Sequence, residues 1–183
     1  MMNMIKRIFK KLFFNNISET EYLISNGLVL GKNLRNHSEY AIDSLFPWLI
    51  TVGDNVCISQ NVKILAHDTS TEYVNGHTKI GAVSIGNNVY IGYGTTVLCG
   101  TNIGDNSIIG AGSVVTSSVP ENCVYAGNPA KFICTLQDYK KKHSTNLISK
   151  KVYDGPCGKW KDISSEKKSA MRHDLNGTFG YMK

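Results

Sequence analysis

The sequence predicts an all-β chain wound as a three-sided parallel coil, and three observations carry this. Aliphatic residues recur every six positions, at Val52, Ile58 and Ile64 and again at Ile85, Ile91, Val97, Ile103, Ile109 and Val115. The next residue is often glycine (Gly53, Gly86, Gly92, Gly104, Gly110), and small or polar pairs follow, such as Asp54-Asn55, Asn87-Asn88, Asp105-Asn106 and Ala111-Gly112. The fifth place holds a small or β-branched residue: Val56, Val62, Val89, Thr95, Thr101, Ser107, Ser113, Val119.

Each element of the coil follows from that unit. Places five and one are two residues apart, so in extended chain they face the same way. Glycine and asparagine tolerate the unusual φ that a bend between units needs. A strand that bends every six residues and always buries one face closes into a prism. One turn cannot cover its own apolar stripe, but stacked turns can. The 3.6-residue period of an amphipathic helix is absent, and an antiparallel sandwich has no reason to keep a fixed six for nine units. Ile24, Leu30 and Gly31 extend the count upstream.

The chain has 183 residues, 42% of them hydrophobic, enough for one domain with tails. No run of 18 apolar residues is present, so no membrane span is expected. Met1–Asn16 has basic residues inside its apolar stretch and no small-residue cleavage site, unlike a secretory signal. Five cysteines (57, 99, 123, 134, 157) without CxxC spacing suggest neither a disulfide framework nor a zinc site, and suit a reducing, cytoplasmic compartment. The net charge of +6 is uneven: residues 135–183 carry 11 basic and 5 acidic side chains, while 23–134 carry 5 and 7. The excess lies in lysine-rich ends without interleaved aromatics, which argues against nucleic acid as a partner.

The chain divides into 1–22, 23–134 and 135–183. Ile5, Ile8, Phe9, Leu12 and Phe13 alternate with Lys6, Arg7, Lys10 and Lys11, the pattern of a short basic amphipathic helix. It suits either a cap on the open end of the coil or a peripheral membrane contact through residues 1–14. Phe132–His143 reads as a short helix on the coil flank, and 144–183 as a flexible basic tail.

The repeat breaks once, between Ile64 and Ile85, 21 residues apart where three units need 18. The intervening loop, about 66–84, holds His67, Asp68, Glu72 and His77. Loops leaving a rigid scaffold are where function concentrates. His67 lies three residues past Ile64, at a corner, with its ring expected to point away from the interior. Imidazole as a side-chain type suits general-base work near neutral pH. A second irregularity, NHSEYAIDSLFP, interrupts the count between Leu30 and Val52 and contains Asp43 and Phe46.

The units ITVGDNVCISQNVKI and VSIGNNVYIGYGTTVLCGTNIGDNSIIGAGSVVTSSVPENCVYAGNPAK resemble the hexapeptide-repeat acyltransferases, most specifically in IIGAGSVVTSSVPENCVYAGNPAK. The resemblance covers about residues 23–134 and is greatest to the sugar O-acetyltransferases of the galactoside, maltose and capsule-polysaccharide type. It implies a left-handed parallel β-helix with short flanking helices, usually a trimer, and acetyl-CoA or acyl-carrier donors. It implies His67 as catalytic base, with His67-Asp68 matching capsule and lipopolysaccharide members. It places Tyr93, Ala111, Thr116, Ser117 and Lys131 against acetyl-CoA in a groove between subunits, Lys131 meeting a phosphate. Two departures stand out: Ser117 and Cys134 occupy positions where members often have basic residues.

On the acceptor side, the resemblance turns the Asp43 region toward the sugar, where Asp43 would bond a hydroxyl. Phe46 and Trp48 would either stack on a sugar ring or fill a corner. By its place just before the next rung His77 is the rival of His67 and could help line the site, and Asp68 would either shape the turn or bind the acceptor. A backbone carbonyl is one partner that would orient His67. Direct transfer is expected, with Cys57 and Cys99 read as packing residues. No metal is expected, because a carbonic anhydrase on this prism needs three histidines on the rungs. Rival readings are N-acetylation of an amino-sugar nucleotide and a non-catalytic scaffold or binding module.

Overall fold

A computed structural model of the chain describes residues 18–36, 41–155 and 163–183. The amphipathic stretch over Ile5–Phe13, His37 and Cys157 lie outside the described residues. The chain divides into two compact units, with the boundary in sequence between Leu136 and Gln137.

The first unit is the coil. Its first turn is β1 (Val29–Leu30), β2 (Arg35–Asn36) and β3 (Ala41–Ile42), and its second is β4 (Ile50–Val52), β5 (Cys57–Ile58) and β6 (Lys63–Ile64). A hairpin of β7 (His67–Asp68) and β8 (Lys79–Ile80) interrupts it. The third turn is β9 (Val83–Ile85), β10 (Tyr90–Ile91) and β11 (Thr96–Val97), and the fourth is β12 (Asn102–Ile103), β13 (Ile108–Ile109) and β14 (Val114–Val115). The chain then reaches β15 (Cys123–Ala126) and β16 (Lys131–Thr135). Strands one turn apart pair in parallel, giving three faces: β1-β4-β9-β12, β2-β5-β10-β13-β15-β16 and β3-β6-β11-β14. Only the β15–β16 pair within these faces is antiparallel.

All nine aliphatic residues of the six-residue period lie inside the prism, at most 2% exposed. Val56, Val62, Val89, Thr95, Thr101, Ser107, Ser113 and Val119 are buried beside them. The polar places form the corners. Asn33, Asn55, Asn88, Asn106 and Asn122 all have φ between 55° and 58°. Their side chains form a ladder, each Nδ2 donating to the Oδ1 of the next turn at 3.0–3.2 Å. Asparagine thus meets the left-handed backbone and links turns at once. Glycine is required beside it: a Cβ on Gly86 would lie 2.2 Å from Asp105 Oδ1 and 2.9 Å from Asp105 N.

Asn88→Gly should cost about 1 kcal/mol through its two ladder bonds, and Asn88→Ala about 1 kcal/mol more, because alanine pays for the left-handed φ. Denaturant unfolding of the two variants checks the order. Equal losses would remove the backbone part of this account.

Several expectations change. Ile24 is not a coil residue: Glu19–Ser25 is an α-helix with a Ser18/Glu21 capping box, and Ile24 lies on its exposed side. Leu23 and Leu28 instead join the core at the start of the coil. The six-residue count does not break at Leu30 but runs on through Asn36 and Ile42, whose strands pair with β5 and β6. Loop 66–84 ends earlier, since Val83 pairs with Ile50 inside the coil. Lys63 pairs with Thr96, 33 positions on, where later turns advance 18. The insertion is therefore 15 residues, five times the excess that the spacing suggests. Phe132–Thr135 is strand, because the chain reverses after Gly127 (φ 102°) and β16 covers the exposed edge of β15.

The second unit replaces the expected flexible tail with structure. It holds the helix Leu136–Ser149 from its second residue on, the helix Ser165–Asp174 and a parallel pair, β17 (Val152–Tyr153) with β18 (Tyr181–Met182). His143 contacts Tyr139 and Tyr181, Lys150 lies 4.9 Å over the Phe179 ring, and Lys151 pairs with Asp174 at 2.6 Å. No helix among the described residues is long and apolar enough to cross a membrane.

Candidate active site

The site forms where the insertion leaves the third face. Ile64 is the last buried residue of β6, and the next two residues turn the corner. Ala66 is fully buried, which fixes the direction in which His67 leaves. β7 then pairs with β8 in register His67↔Ile80 and Asp68↔Lys79. A rigid coil edge and a short hairpin thus hold His67 from both sides.

The parallel register of β3 with β6 brings a carboxylate beneath this ring. Asp43 follows Ile42 directly, and its N–H donates to Ile64 O at 2.9 Å. Its Oδ1 accepts from Leu45 N–H (2.9 Å) and its Oδ2 from Ala66 N–H (2.9 Å). Oδ2 also meets His67 Nδ1 in a short contact. The Asp43 side chain is 1% exposed and that of His67 is 20% exposed. Burial works against the Asp43 charge, but the bonds from His67, Leu45 and Ala66 outweigh it and hold the carboxyl below its ordinary value. Phe46 packs against the His67 ring at 5.5 Å between centroids and Trp48 against Phe46 at 5.6 Å.

The chemistry follows from which nitrogen is engaged. A carboxylate on Nδ1 keeps the proton there and leaves Nε2 as the basic nitrogen. It also stabilises the imidazolium that forms when Nε2 takes a proton.

His67 opens on a cleft of about 350 Å³ lined by Leu65, His67, Asp68, Lys79, Leu98, Cys99 and Thr116. Leu65, Leu98 and Thr116 come from successive turns at one corner, each one residue past its inward aliphatic. The structure thus brings together His67, Asp68 and Thr116 of the residues expected from sequence. Asp43 is turned from the cleft toward His67, so it does not present a carboxylate to a sugar. It occupies the orienting position for which a backbone carbonyl was one expectation. Asp68 shapes the turn: its Oδ1 accepts from Ser70 N–H (2.9 Å) and Ser70 Oγ (2.6 Å). These bonds, with the nearby Lys79 charge, hold its carboxyl below the ordinary value. His77 is exposed outside the cleft lining, its Nδ1 2.7 Å from Asn75 O.

The other expected residues flank the third face. Tyr93 and Ala111 stack on the corner before it, where Gly112 N–H donates to Tyr93 O at 2.7 Å. The Tyr93 hydroxyl accepts from Asn61 Nδ2 at 2.7 Å. Thr116 and Ser117 follow β14 on the corner after it, and Lys131 opens β16 opposite Ala126. Sequence reasoning missed Lys79 and the position of Cys99, which is 8% exposed. Lys79 has no motif of its own, and its place follows from the hairpin register. Among the described residues no group of three or more His, Cys, Asp or Glu could hold a metal.

Residues 82–117 match the bacterial transferase hexapeptide family (six repeats). YvoF of Bacillus subtilis (strain 168) is 40% identical over 100 residues, which cover 55% of this chain and 56% of that protein. The chain therefore spans just over half the length of this relative. The galactoside O-acetyltransferase of Escherichia coli (strain K12) is 34% identical over 146 residues, 77% of this chain and 71% of the relative. A solved galactoside acetyltransferase in complex with coenzyme A aligns with a TM-score of 0.52 at 30% identity, covering 74% of this chain and 80% of that one.

Proposed function

The chain belongs to the hexapeptide-repeat acetyltransferases, and from that premise we propose that it moves acetyl from acetyl-CoA to a sugar hydroxyl. The observation that carries this reading is the buried Asp43 carboxylate on His67 Nδ1, at the mouth of a cleft. The relative that acetylates galactosides and the relative solved with coenzyme A support the choice of acceptor and donor.

In the proposed mechanism, His67 Nε2 accepts the proton of the acceptor hydroxyl as its oxygen attacks the thioester carbonyl carbon. The new C–O bond forms and the C–S bond breaks. The proton on His67 passes to the departing sulfur, so base and acid are one ring. Asp43 is a positioning residue that holds the Nδ1–H tautomer and balances the transient imidazolium charge. Most of the acceleration comes from aligning hydroxyl, imidazole and thioester. The pantetheine arm would run along the third face, past Thr116 and Ser117 and toward Tyr93 and Ala111, with Lys131 at a phosphate.

The finer parts of the reading rest on the sequence resemblance. They are a left-handed coil, a homotrimer with clefts between subunits, and a cytoplasmic enzyme of surface-polysaccharide synthesis. The matching His67-Asp68 pair supports the last of these. Peripheral membrane contact through residues 1–14 belongs to the same reading.

Thiol release from acetyl-CoA with a panel of sugars, an amino-sugar nucleotide and serine tests this function. Turnover with a neutral or acidic sugar, without a burst of CoA before acceptor is added, is the expected result. A burst would move the chemistry to an acyl-enzyme on Cys99. Turnover only with the amino-sugar nucleotide would replace O-acetylation by N-acetylation. No turnover, with no rise in Tm on adding CoA, would leave a scaffold.

A further inference from the structure

Building on the acetyl-transfer reading, we infer that Lys79 makes the cleft selective for an acceptor sugar bearing a negative charge, a carboxylate or a phosphate, near the acetylated hydroxyl. The cleft has two unlike walls. The coil supplies Leu65, Leu98, Cys99 and Thr116, an almost uncharged strip that suits a long apolar donor arm. The hairpin supplies Asp68 and Lys79. A polar acceptor therefore meets the hairpin, with His67 between the two walls.

The backbone of Lys79 is held in place. It pairs with Asp68, one register step from His67↔Ile80. Its N–H donates to Thr71 Oγ1 at 2.8 Å, and that hydroxyl donates to His77 O at 2.6 Å, with Asp68 O 3.1 Å away. The hairpin thus fixes where the lysine stem starts.

The charges on this wall are not equally engaged. Asp68 is bound at Oδ1 by the N–H and hydroxyl of Ser70, which turn it into its own loop, although its charge still lies near that of Lys79. The Lys79 ammonium has no ion pair within 4 Å among the described residues, where the pairs are His67–Asp43, Lys151–Asp174 and His173–Asp174. Among the described residues Lys79 is the one lysine or arginine lining the cleft. A lysine on open surface is simply solvated. A lysine at the rim of a concave site with one apolar wall raises the local concentration of an anionic ligand.

The test compares glucose, glucuronic acid and glucose 1-phosphate as acceptors for wild type, K79Q, K79R and K79E. Wild type should favour at least one acidic sugar over glucose by about tenfold in kcat/KM, a margin that shrinks with added salt. K79Q should remove that margin through the acceptor KM, with the KM for acetyl-CoA within about twofold, as expected for uniform acceptor binding. K79R should keep the margin and K79E should reverse it. The carboxylate and phosphate arms tell which anion fits.

Equal use of neutral and acidic sugars by wild type overturns the inference and leaves the acetyl-transfer reading standing. A K79Q effect confined to the KM for acetyl-CoA overturns it in favour of donor binding. Failure of every sugar overturns both.

Discussion

His67→Ala should lower kcat by about 10²–10⁴-fold, the usual contribution of a positioned general base. The KM for acetyl-CoA should change little, because the proposed donor strip is built from Leu65, Leu98 and Thr116 rather than from the imidazole. The side chain is one-fifth exposed and lies at the edge of the coil, outside the aliphatic stack. Its removal leaves the buried Asp43 carboxylate with its two N–H partners alone, so Tm should fall, while a cooperative transition of the intact aliphatic stack should persist and separate lost chemistry from lost folding. Steady-state kinetics with the best acceptor, beside a melting curve, check both. Equal CoA release by wild type and H67A would remove the base from the mechanism.

Asp43→Asn is the second large effect, and it separates orientation from proton transfer. Asparagine keeps the shape but loses the charge, and its amide no longer selects one tautomer of His67. We expect kcat to fall by about 10²–10⁴-fold with the base still present. The same variant changes the acid limb of stability. The Asp43 carboxyl in the folded protein lies below its ordinary value. It therefore contributes stability that is fully present above its unfolded pKa of about 3.9 and is lost as pH falls through the lower, folded value. Wild type should lose more stability than D43N on acidification below about pH 4. Urea titrations at pH 6 and pH 3 give the comparison. Parallel losses would mean that the carboxylate is not held by His67 and the two N–H groups.

The coil was legible because its signal is local. Nine aliphatics in step, with Asn88 and Gly86 at a corner, state a strand, a bend and a stack in a few residues. Where the local signal lapsed, the reading slipped. Asn36 stands where the stripe shows an aliphatic in later turns, so the first turn was hidden although Ile42 kept the count. Ile24 matched the spacing by chance and belongs to a helix started by Ser18 and Glu21. In the site, His67 was legible from its position at the loop departure. Asp43 was legible as a residue of interest but not as the partner of His67. That contact spans 24 positions and depends on the pairing of β3 with β6, a register that no short pattern encodes. His77 and Lys79 show the same limit. Two residues apart in sequence, they are divided by the hairpin, one left outside the cleft and the other placed beside the base.

The 15-residue insertion returns the chain to the coil without shifting any strand: β4, β5 and β6 meet β9, β10 and β11 at the same 33-position offset throughout. The scaffold is thus indifferent to what the hairpin contains, and lengthening such an excursion costs only logarithmically in chain entropy. Asp43 sits on the coil and His67 at the root of the hairpin, while Lys79, one register step further out, belongs to the exchangeable wall facing the acceptor. Substrate range can then drift, or be re-engineered by replacing the residues beyond the His67↔Ile80 pair, without rebuilding the catalytic pair.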